Sequence, residues 1–570
     1  MLLVLLSSLQ QVRLIARAPL AAQDAVEFVS VAQRIEADGL AATIRREQVA
    51  PLFPATVCAT HAVLESVGLI DSAAWGRAAQ IAAAVPLVLA VVPVFLLARR
   101  LAGPEAALIA SLLFCLLPAT SRLGADGISD ALHLCLAAWA LWGLIEACAA
   151  TDRQACVWAL LSGACVGAAL LCRVEVLVLA PSVLLAASLR VPRPRTSHAL
   201  VAFVGLIGCF GCGCLTGLIP LVAAGVTEPA EIAARLQGGR PASTVRPLNE
   251  SPADRDSARA DELHSFAEPI VRDGVVLEFG RKDPARSIRV TDAAAACRLY
   301  AHEFLQACGY ITLPLAAIGL WSLGRRGITS GPWLLVASFV ATFLALLFGA
   351  VLMLGYVTSR HFFLPMIALL PAAGLGLMVV AAWICDRFAA RNAALPVGAG
   401  TIARRLAAAV AVGCVVATLL PPHHTHAAHR HAADWLRSSS AADDLVLDQH
   451  GWTALSSGRP TYRFDEAETA LVDPRLRYVV VERIDLEARS PRGKSLRAVL
   501  GSAAEAEFCF ADVRGRSEHD VLVFHRAPGD AWVVETPRRN ADPTTAEVVV
   551  CSPFNPKTVP LTRSGSTHAR

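Results

Sequence analysis

The sequence predicts a polytopic α-helical membrane protein with about eleven spans and a small C-terminal α/β domain outside the membrane. Three observations predict this fold class. Of the 570 residues, 55% are hydrophobic and only 17% are charged, whereas a soluble chain carries about 25% charged residues. The apolar residues collect in runs of roughly 20, the length that crosses a bilayer. The charged residues crowd into residues 227–300 and the stretch after Pro422.

Apolar runs that are long enough to cross a membrane recur through most of the chain. They mix Gly, Ala and Leu, as packed membrane helices do. The predicted spans are 78–98, 104–120, 128–149, 155–172, 174–190, 199–226, 304–323, 331–356, 361–385 and 405–421. Residues 1–20 form a shorter first span that Arg13 and Arg17 interrupt. Residues 52–70 include His61 and Glu65, which are costly at a bilayer centre, so they predict an amphipathic helix on the outer surface.

Arginine clusters fall on every second loop between these spans, and the positive-inside rule places such loops in the cytoplasm. They contain Arg99 and Arg100, Arg153, Arg190 to Arg195, Arg325 and Arg326, and Arg387 to Arg405. The alternate loops then face outward, together with the C-terminal domain. These are the stretch before Arg77 and residues 122–130, 173–175, 227–300 and 358–361.

Residues 427–530 alternate helix-like and strand-like runs. ADWLRSS predicts a short helix, whereas DLVLD (444–448), RYVVVERI (477–484) and HDVLVFH (519–525) predict buried strands. The predicted organisation is therefore a membrane domain over 1–422 with outer loops 21–76 and 227–303, a small α/β domain over 423–535, and a flexible tail over 536–570. Within the second outer loop, residues 292–303 predict a helix.

Four outward stretches hold polar residues at helix ends. The first is QDAVEFVSVAQRIEADG with Asp24, followed by VAPLFP at 49–54. RLGADGISDALHL (122–134) carries Arg122, Asp126 and Asp130. ALLCRVEVLVLAP (169–181) carries Arg173 and Glu175, and YVTSRHFFLP (356–365) carries Tyr356, Arg360 and His361.

Together these stretches resemble the GT-C glycosyltransferases over residues 20–440, most closely the protein O-mannosyltransferase and aminoarabinose transferase branch. That branch uses polyprenyl-phosphate sugars as donors. Its first outer loop carries an essential acidic residue and a Pro-Leu-Tyr-Pro-like turn, which Asp24 and Pro51–Pro54 match. The acidic residue of its second outer turn is matched by Asp126. Its Arg-x-Glu and Tyr…Arg-aromatic-x-x-Pro elements also have counterparts here, in the ALLCRVEVLVLAP and YVTSRHFFLP stretches.

The chain departs from the family pattern at three positions. Ala25 follows Asp24 where many members have a second acidic residue, Ala50 stands where His is frequent, and Phe53 replaces Tyr. These departures leave the sugar and the acceptor open. A lipid, a glycan and a protein are all candidate acceptors.

Sugar transfer to a hydroxyl needs a base at the acceptor oxygen and a cation at the departing phosphate. A positioned carboxylate typically contributes about 10²–10⁴-fold as a general base, and Asp24 is the candidate, with Asp126 orienting the acceptor or supporting Asp24. A guanidinium fork binds two phosphate oxygens. Arg360 and Arg173 are the candidates for that role, followed by Arg122. Glu175, Tyr356 and His361 are predicted to support the site.

Each candidate also has a structural interpretation. Asp126 and Asp130 are good helix N-caps, and for Asp130 capping is favoured over catalysis. Arg173 and Glu175 could close a tight turn, and Arg360 could anchor a helix end at the membrane boundary. The glycines at 205, 208, 211, 213 and 217 lie in an apolar run and predict close helix packing, not a phosphate loop.

The expected cofactor set is empty, although a divalent metal ion is compatible with the chemistry. His423, His424, His426, His429 and His431 lack companions at metal-site spacing, so a solvated linker is favoured there. The net charge of +4 carries no nucleic-acid signature. Expected partners are the lipid-linked donor, an acceptor and membrane lipids, and the family resemblance implies a bacterial inner membrane. A transporter or flippase for a lipid-linked substrate and a non-catalytic scaffold are the alternatives.

Overall fold

A computed structural model describes most of the chain, and it divides into two compact units. The first unit comprises Met1–Ile70, Ala74–Pro241 and Ile288–Pro422, and the second comprises Asp71–Ala73, Ala242–Ser287 and His423–Arg570. The described residues are 1–18, 21–47, 50–69, 73–150, 152–190, 197–224, 271–272, 275–276, 293–325, 331–354, 357–389, 399–417, 426–462, 464–488, 491–502, 505–511, 517–526 and 532.

The first unit is helical and begins with four helices of 16 residues or fewer. They are α1 (Leu2–Arg17), α2 (Gln23–Asp38), α3 (Leu40–Arg46) and α4 (Leu52–Ser66). Phe28 of α2 packs edge-on against the buried Phe53 of α4, with ring centroids 5.0 Å apart. The helix predicted for 52–70 is present as α4. At 15 residues, α4 is shorter than a typical span.

Six helices in the described part of the chain are long and apolar enough to cross a membrane, or up to eight if each of two bent pairs is one span. The six are α5 (Ala74–Ala102), α8 (Asp130–Ala149), α9 (Asp152–Leu170), α11 (Ser197–Ala223), α14 (Gly331–Leu354) and α15 (Phe363–Ala389). The bent pairs are α6 (Pro104–Leu116) with α7 (Pro118–Asp126) and α12 (Ala293–Ala307) with α13 (Thr312–Arg325). The remaining helices are α10 (Leu179–Arg190) and α16 (Ala399–Ala417). The predicted total of eleven stays a prediction.

Two of the predicted spans contain a bend between two helices. The span 104–120 bends by 49° at Leu117, because the Pro118 that follows cannot donate a backbone hydrogen bond to the preceding turn. The span 304–323 bends by 89° after Ala307, where Gly309 and Tyr310 adopt left-handed φ values of 56° and 60°. The helix predicted for 292–303 is confirmed as the first arm of this bend.

Glycines let α9 and α11 approach each other closely. A Cβ atom on Gly213 would lie 2.2 Å from the Leu160 carbonyl oxygen, and one on Gly217 would lie 2.3 Å from the Gly167 carbonyl carbon. The predicted small-residue packing is confirmed at these two positions. At Gly205, Gly208 and Gly211 of the same helix, no atom of the described residues lies within 4 Å of a Cβ position, so these residues do not require a small side chain there.

The second unit contains a five-stranded mixed sheet. Its strands are β3 (Leu445–Asp448), β4 (Thr461–Tyr462), β5 (Leu476–Glu482), β6 (Phe508–Phe510) and β7 (Val521–His525), in the order β4-β3-β5-β7-β6. Strand β3 is parallel to β4 and β5, while β7 is antiparallel to β5 and β6. The three predicted strands are confirmed as β3, β5 and β7. A short hairpin of β1 (Val271–Arg272) and β2 (Val275–Val276) groups with this unit, although it falls in the loop 227–303.

Side chains alternate across the sheet, so both of its faces are apolar. Leu447, Val479 and Leu522 lie on one face, and Val446, Val480 and Val523 lie on the other. The second face packs against α17 (Ala427–Ser439) through Ala432 and Leu436. The further helices of this unit are α18 (Trp452–Ser457), α19 (Ala467–Val472), α20 (Arg483–Glu487) and α21 (Pro491–Leu500).

His429 belongs to this domain, so the prediction of a solvated linker is wrong at that position. Its ring is fully buried, with Nδ1 2.8 Å from Thr453 Oγ1 and Nε2 3.3 Å from Glu482 Oε1. Burial would raise the pKa of Glu482, but the imidazoles of His429, His450 and His519 outweigh it and lower that pKa to about 2. His423 and His424 lie outside the described residues.

Candidate active site

Three of the predicted outward stretches meet in one pocket of the first unit. The pocket is open to solvent, and the space between its walls, open solvent included, amounts to about 280 Å³. The start of α8, the turn after α9 and the turn before α15 provide its polar lining. The lining residues are Asp130, His133, Leu134, Arg173, Glu175, Phe343, Arg360, His361, Phe363 and Leu364.

Arg173 lies between two carboxylates at this pocket. Its Nη1 donates to Asp130 Oδ1, and its Nε lies 3.2 Å from Glu175 Oε1. Burial disfavours the charged guanidinium, but Asp130 and Glu175 outweigh burial and raise the pKa of Arg173 above its ordinary value. Arg173 is therefore a permanent cation fixed in place by two partners.

The capping interpretation of Asp130 is wrong. Asp130 is the first residue of α8, Ser129 occupies the N-cap position, and no side chain makes the capping hydrogen bond. The Asp130 carboxylate, whose side chain is 8% exposed, instead pairs with Arg173. Asp126 cannot cap a helix N-terminus either, because it is the last residue of α7.

Asp24 and Arg360 form an ion pair, although they are 336 positions apart in the sequence. Arg360 Nη1 donates to Asp24 Oδ2, and the two side chains are 31% and 48% exposed, respectively. Asp24 stands in the first turn of α2, where the helix dipole favours a carboxylate. Arg360 lines the pocket from the 3₁₀ turn Ser359–Phe362. The residue predicted as the base therefore lies in contact with the residue predicted to bind phosphate.

Two histidines lie in the pocket wall. His361 Nδ1 accepts the backbone N–H of Thr358 at 3.2 Å and lies 2.9 Å from Thr358 Oγ1. His133 Nδ1 lies 3.3 Å from the Ala169 carbonyl oxygen, and its Nε2 is buried with no hydrogen-bond partner among the described residues. The sequence analysis missed His133. Its position three residues after Asp130, on the same face of a helix, was the available signal.

The other candidates lie elsewhere. Asp126 and Arg122 do not line the pocket, although the Asp126 carbonyl oxygen accepts the N–H of Ala22 at 2.9 Å, near Asp24. The Nε of Arg122 is buried and has no hydrogen-bond partner within the described ranges. Tyr356 lies outside the described residues.

Charges at the site nearly balance, with three carboxylates from Asp24, Asp130 and Glu175 against two guanidinium groups. Each arginine is compensated by a carboxylate, so an anionic ligand has to compete for it. Elsewhere in the unit, Glu36, His61 and Glu65 bring their ligand atoms within 4.8 Å of one another. None of these three lines the pocket.

The comparisons with known proteins give a family match over a short part of the chain and a fold match over most of the chain. Residues 69–212 match the family model described as dolichyl-phosphate-mannose-protein mannosyltransferase. No curated protein matches the chain. The apo structure of ArnT from Cupriavidus metallidurans aligns with 92% of this chain and 96% of its own, at 12% identity and a TM-score of 0.53. The resemblance to the GT-C glycosyltransferases is confirmed.

Two further structures are similar to this chain. ArnT from Cupriavidus metallidurans bound to undecaprenyl phosphate aligns with 92% of this chain and 97% of its own, at 14% identity and a TM-score of 0.53. The apo oligosaccharyltransferase of Archaeoglobus fulgidus aligns with 88% of this chain and 71% of its own, at 12% identity and a TM-score of 0.47. The chain described here is an integral multi-pass membrane protein, as its own apolar helices and fold indicate.

Proposed function

We propose that this chain transfers a sugar from a polyprenyl-phosphate donor to an acceptor hydroxyl. The observation that carries the proposal is the pocket in which Arg360 and Arg173 lie together, with Asp24 in contact with Arg360. The family description names a lipid-phosphate sugar, and ArnT has been captured with undecaprenyl phosphate. Both support a lipid-phosphate ligand for this pocket.

Asp24 is the proposed general base. The acceptor hydroxyl gives its proton to the Asp24 carboxylate. At the same time the hydroxyl oxygen forms a bond to the anomeric carbon of the sugar. The bond between that carbon and the phosphate oxygen breaks, and its electron pair leaves with the polyprenyl phosphate. A carboxylate in this role typically contributes about 10²–10⁴-fold.

Arg360 and Arg173 are the proposed phosphate ligands. A guanidinium carries five N–H donors in a planar fork, enough to hold a carboxylate and a phosphate together. Asp130 and Glu175 hold Arg173 in position, while Arg360 connects the phosphate to the base. Arg122, predicted as the third phosphate ligand, lies outside the pocket lining.

The apolar part of the lining suits the lipid portion of the donor. Phe343, Phe363, Leu134 and Leu364 complete the pocket wall. Apolar side chains beside a charged phosphate site match a ligand whose phosphate continues into an isoprenoid chain.

The proposed reaction takes place on the extracytoplasmic face of a bacterial inner membrane. The alternating arginine loops support this sidedness, because the pocket is built from stretches that the same rule places together outside. The C-terminal domain would face the same compartment. The acceptor would be a lipid, a glycan or a protein.

The proposal can be tested with purified protein in detergent. The protein is given radiolabelled polyprenyl-phosphate sugars and a pool of acceptors from a membrane extract. We expect labelled acceptor and free polyprenyl phosphate in equal amounts. Transfer should be lost in Arg360→Gln and kept in Arg46→Gln, a control at the exposed Arg46–Asp38 pair of α2 and α3.

Each of the alternative functions predicts another result. Movement of the labelled lipid between the leaflets of a proteoliposome without sugar transfer would favour a transporter or flippase. Folded protein that neither transfers nor moves any donor would contradict the proposal and favour a scaffold.

A further inference from the structure

A cluster of imidazole and carboxylate side chains lies at one edge of the sheet in the second unit. His450 follows the end of β3 by two residues, Glu482 ends β5, and Asp485 lies in α20, which comes next. Because β3 and β5 are parallel, their carboxyl ends meet at the same edge. Ligands commonly bind at that edge of parallel strands.

We propose that His450, Glu482 and Asp485 form a binding site for a divalent transition-metal ion, with Zn²⁺ as the ion they fit best. One ligand atom from each residue lies within 4.8 Å of the other two. Imidazole nitrogen and carboxylate oxygen are normal zinc ligands, and three protein ligands leave a position for water. Two carboxylates would also neutralise the charge of the ion.

The separation of the ligand atoms fits a shared ion better than a direct hydrogen bond. His450 Nε2 lies 3.6 Å from Glu482 Oε1, beyond the roughly 2.7–3.2 Å of a normal N–H···O hydrogen bond. Two ligands at about 2.1 Å from a tetrahedral zinc ion lie roughly 3.4 Å apart. The observed distance is close to that value.

The His450 ring has two nitrogens, and Nε2, which lies 3.6 Å from Glu482 Oε1, is the proposed ligand atom. Its Nδ1 is buried and has no hydrogen-bond partner in the part of the chain that the structure describes, so no hydrogen bond at Nδ1 fixes the ring. Coordination through Nε2 would hold the imidazole beside the two carboxylates.

Neighbouring groups hold the proposed ligands in place. Fully buried His429 joins Glu482 to Thr453, with Nε2 3.3 Å from Glu482 Oε1 and Nδ1 2.8 Å from Thr453 Oγ1. Gln449 Nε2 donates to Asp485 Oδ2. Such outer contacts orient ligands in known metal sites. His429 and Gln449 are positioning residues in this proposal, whereas His519 Nδ1, 3.6 Å from Glu482 Oε2, is too far away for a hydrogen bond.

Zinc content tests the site independently of sugar transfer. The full chain is purified in detergent, stripped with a chelator, dialysed against Zn²⁺ and then against metal-free buffer, and its zinc is measured by mass spectrometry. The wild type should retain one more equivalent of zinc than His450→Ala or the milder Asp485→Asn. His525→Ala is the matched control, because His525 lies on β7 of the same sheet and pairs with Glu507 at 3.0 Å.

Zinc bound elsewhere, for example at His423, His424 and His426, contributes equally to every sample because these residues are present in all of them. The difference in zinc content between wild type and variant therefore reports the proposed site. Co²⁺ provides a second readout, with visible absorption bands expected in the wild type and the His525→Ala control but lost in His450→Ala. Equal zinc content and equal Co²⁺ spectra in folded wild type and both site variants would overturn the proposal.

Discussion

At the residue scale, the contact between Asp24 and Arg360 joins the two chemical requirements of glycosyl transfer. In the proposed reaction the carboxylate accepts the proton of the acceptor hydroxyl and the guanidinium binds the donor phosphate. Since Arg360 Nη1 donates to Asp24 Oδ2, the two groups would act side by side.

Replacing Arg360 with Lys tests the role of the guanidinium fork. Lysine keeps the charge but loses the planar pair of donors. A charge-assisted hydrogen bond is worth about 1.5–3 kcal/mol, so transfer should fall roughly 10–100-fold. The measurement is kcat/KM for the donor. Arg46→Lys, at an exposed pair, should stay near the wild-type value, and wild-type kinetics in Arg360→Lys would remove the fork from the mechanism.

Replacing Asp130 with Asn tests the buried pair with Arg173. The guanidinium would keep Glu175 but lose its more buried partner. Leaving a buried donor without its partner costs about 1–3 kcal/mol, so the free energy of unfolding should fall by that amount. Thermal unfolding in detergent measures the change, with Asp434→Asn on the exposed face of α17 as the control. Equal melting temperatures would show that the pair contributes nothing.

The sequence was informative about which residue types lie at the outer helix ends, and less so about their partners. Arg173 and Glu175 are two positions apart, and their contact could be anticipated. The contact of Arg173 with Asp130 spans 43 positions and that of Arg360 with Asp24 spans 336. Such pairs depend on helix packing, which periodicity does not specify. The sequence therefore favours a cap for Asp130 and does not single out His133.

At the element scale, hydrophobic run length located the helices but not their bends. Apolar composition continues across both Leu117 and Cys308–Ile311, so the runs 104–120 and 304–323 looked uninterrupted. Pro118 was a local signal for the first bend. The second depends on a left-handed Tyr310, a conformation that a residue of this type rarely adopts, and no pattern in the sequence announces it.

The close approach of α9 and α11 gives a prediction at this scale. In Gly213→Val, the new side chain would meet the Leu160 carbonyl oxygen, and overpacking of this kind costs about 1–3 kcal/mol. The same substitution at Gly208 points into open space. Thermal unfolding in detergent should show a lower melting temperature for Gly213→Val only. Equal destabilisation by both variants would contradict tight packing at Gly213.

At the scale of the whole molecule, composition was sufficient for the fold class. Segregated charge predicted a helical membrane part, and short continuous apolar runs predicted β3, β5 and β7. The number of spans could not be read as securely, because helices such as α1 and α10 fall below the usual spanning length. Packing and bilayer position decide whether such helices cross.

For the whole chain, we predict on which side of the membrane the C-terminal domain and the arginine-bearing loops lie. Alkaline phosphatase fused after Arg570 should be active and green fluorescent protein at the same point should be dark, because the C-terminal domain is expected outside. Fusions after Arg326 should give the reverse pattern, since that loop carries cytoplasmic arginines. Fluorescence after Arg570 would reverse the predicted orientation of the C-terminal domain.

The most direct test of the central claim is the rate of sugar transfer from a polyprenyl-phosphate donor by Asp24→Asn, compared with Asp38→Asn on the same helix. Asp38 is at the other end of α2 and pairs with Arg46. With Asp24 as the base, transfer by folded Asp24→Asn should fall by about 10²–10⁴-fold, while Asp38→Asn should transfer at close to the wild-type rate. Wild-type transfer by folded Asp24→Asn would contradict the claim.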